Sequence, residues 1–301
     1  MRVVSVLPSA TEIVFALGHG DELVGRSAEC DYPAAVLDRP VVMRARTLDS
    51  DRPSGEIDAR VRAARGAGES LYTLDVDRLR ALRPDLLLTQ DLCGVCSVTD
   101  GEVRAACARA GIAPTIVSLV PRTLEDVWRS VETVGAALGD DRGGRRLAND
   151  LRTRSEPPAH RDGRSVGVVE WLDPPILAGL WTPEIVRAAG GEPLGPAVGE
   201  PGERTDWDRL SERPPHVLVL SPCSFSVARS RRELDEPSLA AAVAAVRAPG
   251  GTFVVDEAYF SRPGPRLAEG VELLRALLRD GRPRGPMPAD RWSPSAAEAP
   301  A

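Results

Sequence analysis

Five cysteines are the residues of this 301-residue chain whose type and spacing point most directly to chemistry. Cys93 and Cys96 stand in a C-x-x-C spacing within "DLLLTQDLCGVCSV", just after an apolar run. That spacing fits a redox dithiol, half of a metal site, or two small residues in a turn. Cys30 lies in "RSAECDYP" and Cys223 in "LVLSPCSF". Each of these four follows a run that reads as a β-strand. Four thiolates converging from three strand ends would suit zinc or an iron–sulfur cluster. The alternative is that Cys30 and Cys223 line a cleft and ligate nothing. Cys107 differs. With Val103, Ala106 and Ala110 it shares the apolar side of a predicted helix and reads as a small core residue.

Those strand ends belong to an alternation of strands and helices. Val3 to Leu7 reads as a strand, and Ser9-Ala10-Thr11-Glu12 has the spacing of a capping box that opens a helix, with Ser9 as the cap. Weak strands are expected at Glu22 to Gly25 and Pro40 to Met43, and helices at Ile57 to Ala64 and Val76 to Leu82. Asp85 to Thr89 and Thr115 to Leu119 read as strands around a helix from Gly101 to Ala110. A long helical stretch from about Thr123 to Leu151 follows. After "RSEPPAHRDGR" the alternation restarts, with strands at Ser165 to Trp171, Val217 to Leu220 and Thr252 to Asp256. Helices are expected at Pro183 to Ala189, Leu239 to Val246 and Arg266 to Arg279. The pattern predicts an α/β protein: two Rossmann-like lobes with parallel sheets, joined by a long backbone helix, with a ligand cleft between them. The expected divisions are an N-terminal lobe over 1–120, the connecting helix over 121–155, a C-terminal lobe over 163–281 and a disordered tail over 282–301.

Other cleft candidates follow from the strand ends. Glu170 could act as acid or base, and Trp171 either stacks on a flat ligand or packs in the core. Tyr259 and Arg262 follow the last strand; Arg262 either grips a carboxylate or belongs to a proline-stiffened turn. Arg44 and Arg46 either add positive charge to the cleft or lie in a solvated loop. Gln90 and Asp91 flank the cysteine pair, and Tyr72 could reach the same place. The three histidines look peripheral, so no histidine metal site is expected.

Composition narrows the function. The net charge of −6 argues against a nucleic-acid partner. All 38 basic residues are arginine, which excludes lysine Schiff-base chemistry and the lysine of a phosphate-binding loop. No run is long and apolar enough for a membrane span. Met1-Arg2 passes straight into a run soon broken by Pro8, Ser9 and Glu12, so no export signal is read and a cytoplasmic location is expected.

The stretches "LPSATEIVFALG", "ECDYP", "GESLYTLD", "LLLTQDLCGVC", "EWLDPP", "SPCSF" and "AYFSRPGPRL" resemble the cobalamin-binding-protein branch of the iron/B12 solute-binding family. The likeness runs in order over roughly residues 1 to 280. It implies two lobes around a rigid helical backbone and a cleft for a corrinoid (cobalamin) or another metal-containing ligand. Exported members of that family serve ABC transporters, a partner this chain would not reach without an export signal. Three functional readings stand at this point. One is a binding protein for a corrinoid. The second is an enzyme whose cysteines hold an iron–sulfur cluster or metal beside Glu170 and act on a small anionic substrate. The third is a thiol-redox protein using Cys93 and Cys96.

Overall fold

A computed structural model describes residues 1–46, 51–90, 98–159, 163–282 and 289–292. The first lobe runs β1 (Val3–Ser5), α1 (Pro8–Ala16), β2 (Leu23–Ser27), β3 (Val41–Ala45), α2 (Ser54–Gly66), β4 (Tyr72–Leu74), α3 (Val76–Leu82), β5 (Leu86–Gln90), α4 (Asp100–Ala110) and β6 (Thr115–Leu119). Its strands lie in the order β4-β3-β2-β1-β5-β6. All neighbours are parallel except β3 and β4. Two helices follow, α5 (Leu124–Ala137) and α6 (Asp141–Arg154). The second lobe runs β7 (Ser165–Leu172), β8 (Pro175–Leu177), α7 (Thr182–Ala189), β9 (Glu192–Leu194), β10 (Glu203–Arg204), α8 (Trp207–Glu212), β11 (Val217–Leu220), α9 (Val227–Glu233), α10 (Pro237–Ala245), β12 (Gly251–Val255), α11 (Leu267–Asp280) and β13 (Ala289–Trp292). Its sheet order is β10-β8-β7-β11-β12-β13, with β9 also on β7, and β7, β11 and β12 form its parallel centre. The expected α/β class is observed, with a largely parallel first sheet and a second sheet that is parallel at its centre and antiparallel toward both edges.

The connection between the lobes is a helical hairpin, not one long helix. The chain reverses at Gly139, which adopts a φ of +78° that other residues rarely hold. The two helices then pack backbone to backbone: a Cβ on Gly135 would meet Gly144 Cα at 2.7 Å. Arg152 of α6 ties back to α5, donating from Nε to Glu125 at 2.9 Å and from Nη1 to Glu132 at 2.8 Å. Helix α5 buries Leu124, Val127, Trp128, Val131 and Val134, a stripe at helical spacing. That stripe packs in one core with Ile13 of α1 and with Ile185 of α7. A single helix therefore braces both lobes. Its first turn is capped by Thr123 and Asp126, and Glu184 of α7 accepts from Leu124 N at 2.6 Å.

Two further expectations need correcting. Ser9 is not the cap of α1. Leu7 holds that position without a side-chain bond, and Pro8 begins the helix because its fixed φ already suits a first turn. The tail is not wholly unstructured: β13 pairs antiparallel with β12, covering that strand's open edge. The glycine contact gives a direct test. Gly135→Val should lower stability by about 1–3 kcal/mol through overpacking against α6, read as a shift in the denaturant midpoint.

Candidate functional site

The carboxyl ends of both sheets' strands face one another. From the first lobe, the end of β1 leads into α1 with Glu12, and the end of β2 leads to Asp31 and Tyr32. From the second, β11 leads to Ser224 and Ser226, and α9 then supplies Arg229 and Arg232. Strand β12 leads to Asp256, Glu257 and Arg262. With Asp31 and Asp51 these second-lobe residues line a half-open cavity of about 270 Å³. Its wall thus carries four carboxylates and three guanidiniums.

Arg262 is the centre of the site. Its side chain is 13% exposed. Nε donates to Glu257, Nη1 donates to Glu12 at 3.3 Å and to Asp31, and Nη2 donates to Asp31 Oδ2 at 3.1 Å. Glu12 and Asp31 belong to the first lobe, so one guanidinium joins both. Arg266 repeats the contact, donating from Nε to Glu12 Oε2 at 2.9 Å. Its guanidinium also lies 4.3 Å above the ring of Tyr32, which is 49% exposed. Burial works against the Asp31 carboxylate, but the Arg262 guanidinium holds it below the usual range. Burial pushes the Glu257 carboxyl up to about 7, with Asp256 and Asp31 adding to the rise and Arg262 opposing it. A second set of contacts lies across the cavity. Glu233 accepts from Ser54 N at 2.5 Å and pairs with Arg229 at 2.7 Å. Arg229 donates to the Arg52 carbonyl at 2.5 Å, and Arg232 lies 3.7 Å from Asp51.

The residues singled out from the sequence divide sharply. Arg262 lines the cavity, but its donors are directed at three carboxylates rather than at an open anion site. Tyr259 is buried beside it, 5.8 Å from the Arg266 guanidinium. Trp171 packs: its ring lies 5.4 Å from Phe225, and both join the first lobe's core. Glu170 does not line the cavity; its Oε1 lies against Gly202, on the β8 and β10 side. Tyr72 is buried in the first lobe's core, and Gln90 is buried at the end of β5. Arg44 and Arg46 are exposed, and Arg46 donates to Thr73 Oγ1 at 2.8 Å. Asp91, Cys93 and Cys96 lie outside the described residues.

The convergence of thiolates is not supported. Cys30 is fully buried, accepts a hydrogen bond from Thr11 Oγ1 at 3.1 Å, and packs in the apolar core. Burial pushes its thiol up to about 11, which disfavours the thiolate a metal or cluster needs. Cys223 is half-buried, is not part of the cavity wall, and donates its backbone N–H to the Glu170 carbonyl at 3.0 Å. Cys107 is buried, as a core residue should be. The donor set therefore does not fit an iron–sulfur cluster held by all four cysteines. The residues that do make the site, Glu12, Asp31, Glu257 and Arg266, were passed over or given other roles in the sequence. The only sequence signal was the density of charge and aromatic residues in "ECDYP" and "DEAYFSRPGPR".

The raised Glu257 carboxyl has a stability consequence. The folded protein binds this proton more tightly than the unfolded chain does. Its stabilising effect is complete below the unfolded value of 4.5 and is lost as pH rises through about 7. Wild type should therefore lose stability relative to Glu257→Gln across that window, by on the order of 3 kcal/mol. Thermal melts of both proteins at matched pH values check this, and parallel pH profiles would refute it.

Comparison with known proteins gives a consistent picture, although no family model matches the chain. A vitamin B12-binding protein of Pectobacterium atrosepticum is 22% identical over 291 residues, covering 93% of this chain and 88% of its own. An uncharacterized ABC transporter substrate-binding lipoprotein of Bacillus subtilis is 23% identical, covering 91% and 78%. Among solved structures, a periplasmic heme-binding protein of Pseudomonas aeruginosa aligns with a TM-score of 0.70 at 21% identity, covering 97% of this chain and 98% of that one. The periplasmic vitamin B12-binding protein of Vibrio cholerae aligns with a TM-score of 0.62 at 20% identity, covering 93% and 97%. These relatives overturn the expected cytoplasmic location, since they are periplasmic proteins or a lipoprotein serving ABC transporters. Over nine-tenths of its length this chain is similar to vitamin B12-binding proteins, and its fold is that of the two-lobe iron and B12 solute-binding proteins.

Proposed function

We propose that this chain is the solute-binding component of an ABC transporter and that its interlobe cleft holds a corrinoid. The observation that carries the reading is the end-to-end likeness to vitamin B12-binding proteins, on a fold whose cleft is walled by both lobes. The sequence relatives named for vitamin B12 favour a corrinoid over a heme. A cobalamin presents a rim of neutral amides and one phosphodiester anion. Amides both donate and accept, which suits a wall that mixes carboxylates, guanidiniums and the hydroxyls of Ser224 and Ser226. Tyr32, next in sequence to the wall residue Asp31, adds a flat, half-exposed aromatic face held from one side by Arg266.

Titration calorimetry with cyanocobalamin and, separately, hemin tests this reading. Cyanocobalamin should bind one per chain at about 1 μM or tighter, with hemin at least about tenfold weaker. The reverse order would exclude the corrinoid preference, and silence with both ligands would refute the reading. Tyr32→Ala should weaken cyanocobalamin binding by about tenfold, the worth of one aromatic stacking contact.

A further inference from the structure

The cavity is smaller than a macrocycle needs. At about 270 Å³ it falls below the ~300–1,000 Å³ of ordinary ligand pockets. Part of its wall is tied across the two lobes. Asp31 and Asp51 come from the first lobe, and each is paired with a wall residue of the second, Arg262 and Arg232. Two straps therefore flank the cavity, and a further pair, Arg204 of β10 with Asp58 of α2, joins the lobes outside its wall. One joins Arg262 and Arg266 to Glu12 and Asp31. The other joins Arg229, Arg232 and Glu233 of α9 to residues 51–54 at the entry to α2.

We propose that these two straps form a gate, so that a ligand larger than the cavity enters only when they part. The inference of a gate on a ligand path rests on the binding-protein reading, but the parting itself does not. The straps differ in strength. Asp31 meets a guanidinium that is 13% exposed and makes a two-oxygen contact with it, which adds geometric specificity to charge. The Asp51–Arg232 pair is open to solvent, at 84% and 61% exposure, and holds little by itself. Its strap is secured instead by Glu233 on the Ser54 amide and Arg229 on the Arg52 carbonyl, both from buried side chains. The Asp31–Arg262 contact is the stronger of the two pairs in the wall. Opening is a shift between two lobe arrangements, and the straps set how rarely the open one is populated. Weakening a strap should therefore raise the fraction of molecules ready to admit a ligand.

Asp31→Asn is the informative variant, because Asp31 is 58% exposed and its change leaves the core untouched. Hydrogen exchange on the protein without added ligand reads the gate directly. Backbone amides at 28–32 and 257–262 should exchange about fivefold faster, the equivalent of losing one partly exposed ion pair. Amides of the second strap, at 52–54 and 229–233, should rise with them, and exchange away from the two straps should stay as in wild type. Unchanged exchange at both segments, or a uniform rise over the whole chain, would overturn the gate. Stopped-flow mixing with cyanocobalamin is the second arm, where Asp31→Asn should associate about fivefold faster. Faster local exchange with an unchanged association rate would show that the straps part but do not control entry, which also overturns the proposal. If neither protein binds cyanocobalamin, the ligand reading fails, and the exchange result still decides whether the straps hold the lobes.

Discussion

A guanidinium cannot be withdrawn from water without acidic partners, and Arg262 is nearly withdrawn. An unmatched charge at that depth costs several kcal/mol, enough to remove much of a domain's stability. Its own lobe supplies only part of the compensation, through Glu257. The rest comes from Glu12 and Asp31 in the other lobe. The two lobes must therefore meet where Arg262 stands. Glu12 can reach because α1 begins immediately after β1, and Asp31 because the chain turns over the end of β2. Five charged groups meet there, three carboxylates and two guanidiniums. Burial is the main reason one carboxyl, that of Glu257, keeps its proton to a higher pH, and the acids Asp256 and Asp31 add to the rise.

The rest of the architecture serves that meeting point. Parallel strands bring their carboxyl ends to one edge of each sheet, so the loops that follow them collect on one side. Helix α5 fixes the distance between the two edges by packing on α1 and α7 at once. The α5–α6 hairpin needs the bare backbone of Gly135 and Gly144 to pack closely. Phe225 and Trp171 add an apolar contact across the lobes, with Phe225 buried among first-lobe residues such as Val6 and Met43. A buried aromatic of this kind contributes about 1.5–3 kcal/mol. Polar straps at the cavity and apolar contacts behind it thus hold the same two bodies together.

Much of the fold was legible because alternating strands and helices have different hydrophobic periods. Strands β6 and β11 and helix α3 fall where the periodicity places them. The connecting hairpin was read as one helix because α5 and α6 share one continuous helical pattern, and only Gly139 marks the turn. The short strands β8, β9 and β10 carry two or three residues each, too few to show a period. The site was harder to read for a different reason. A strand end says where a residue lies but not which way its side chain faces. Cys30 stands at such an end and turns inward under Thr11, and Glu170 turns toward β8 and β10. Glu12 was read as the far member of a capping box, a local role. Its real partners, Arg262 and Arg266, lie 250 and 254 positions away, and no local spacing encodes that distance.

The absence of lysine has a structural use at this point in the fold. Arg262 serves its three carboxylates from three separate nitrogens held in one plane. An ammonium offers one nitrogen on a flexible stem and could not span acids on both sides of a cleft in that way. Arg266 likewise needs a flat face to lie over Tyr32 while its edge donates to Glu12. The charge of the residue and the shape of its head group are therefore separate requirements. Charge alone would draw the lobes together, but only the planar fork fixes where they meet. The geometry of one side chain in the second lobe thus helps to set the register between two sheets that share no strand.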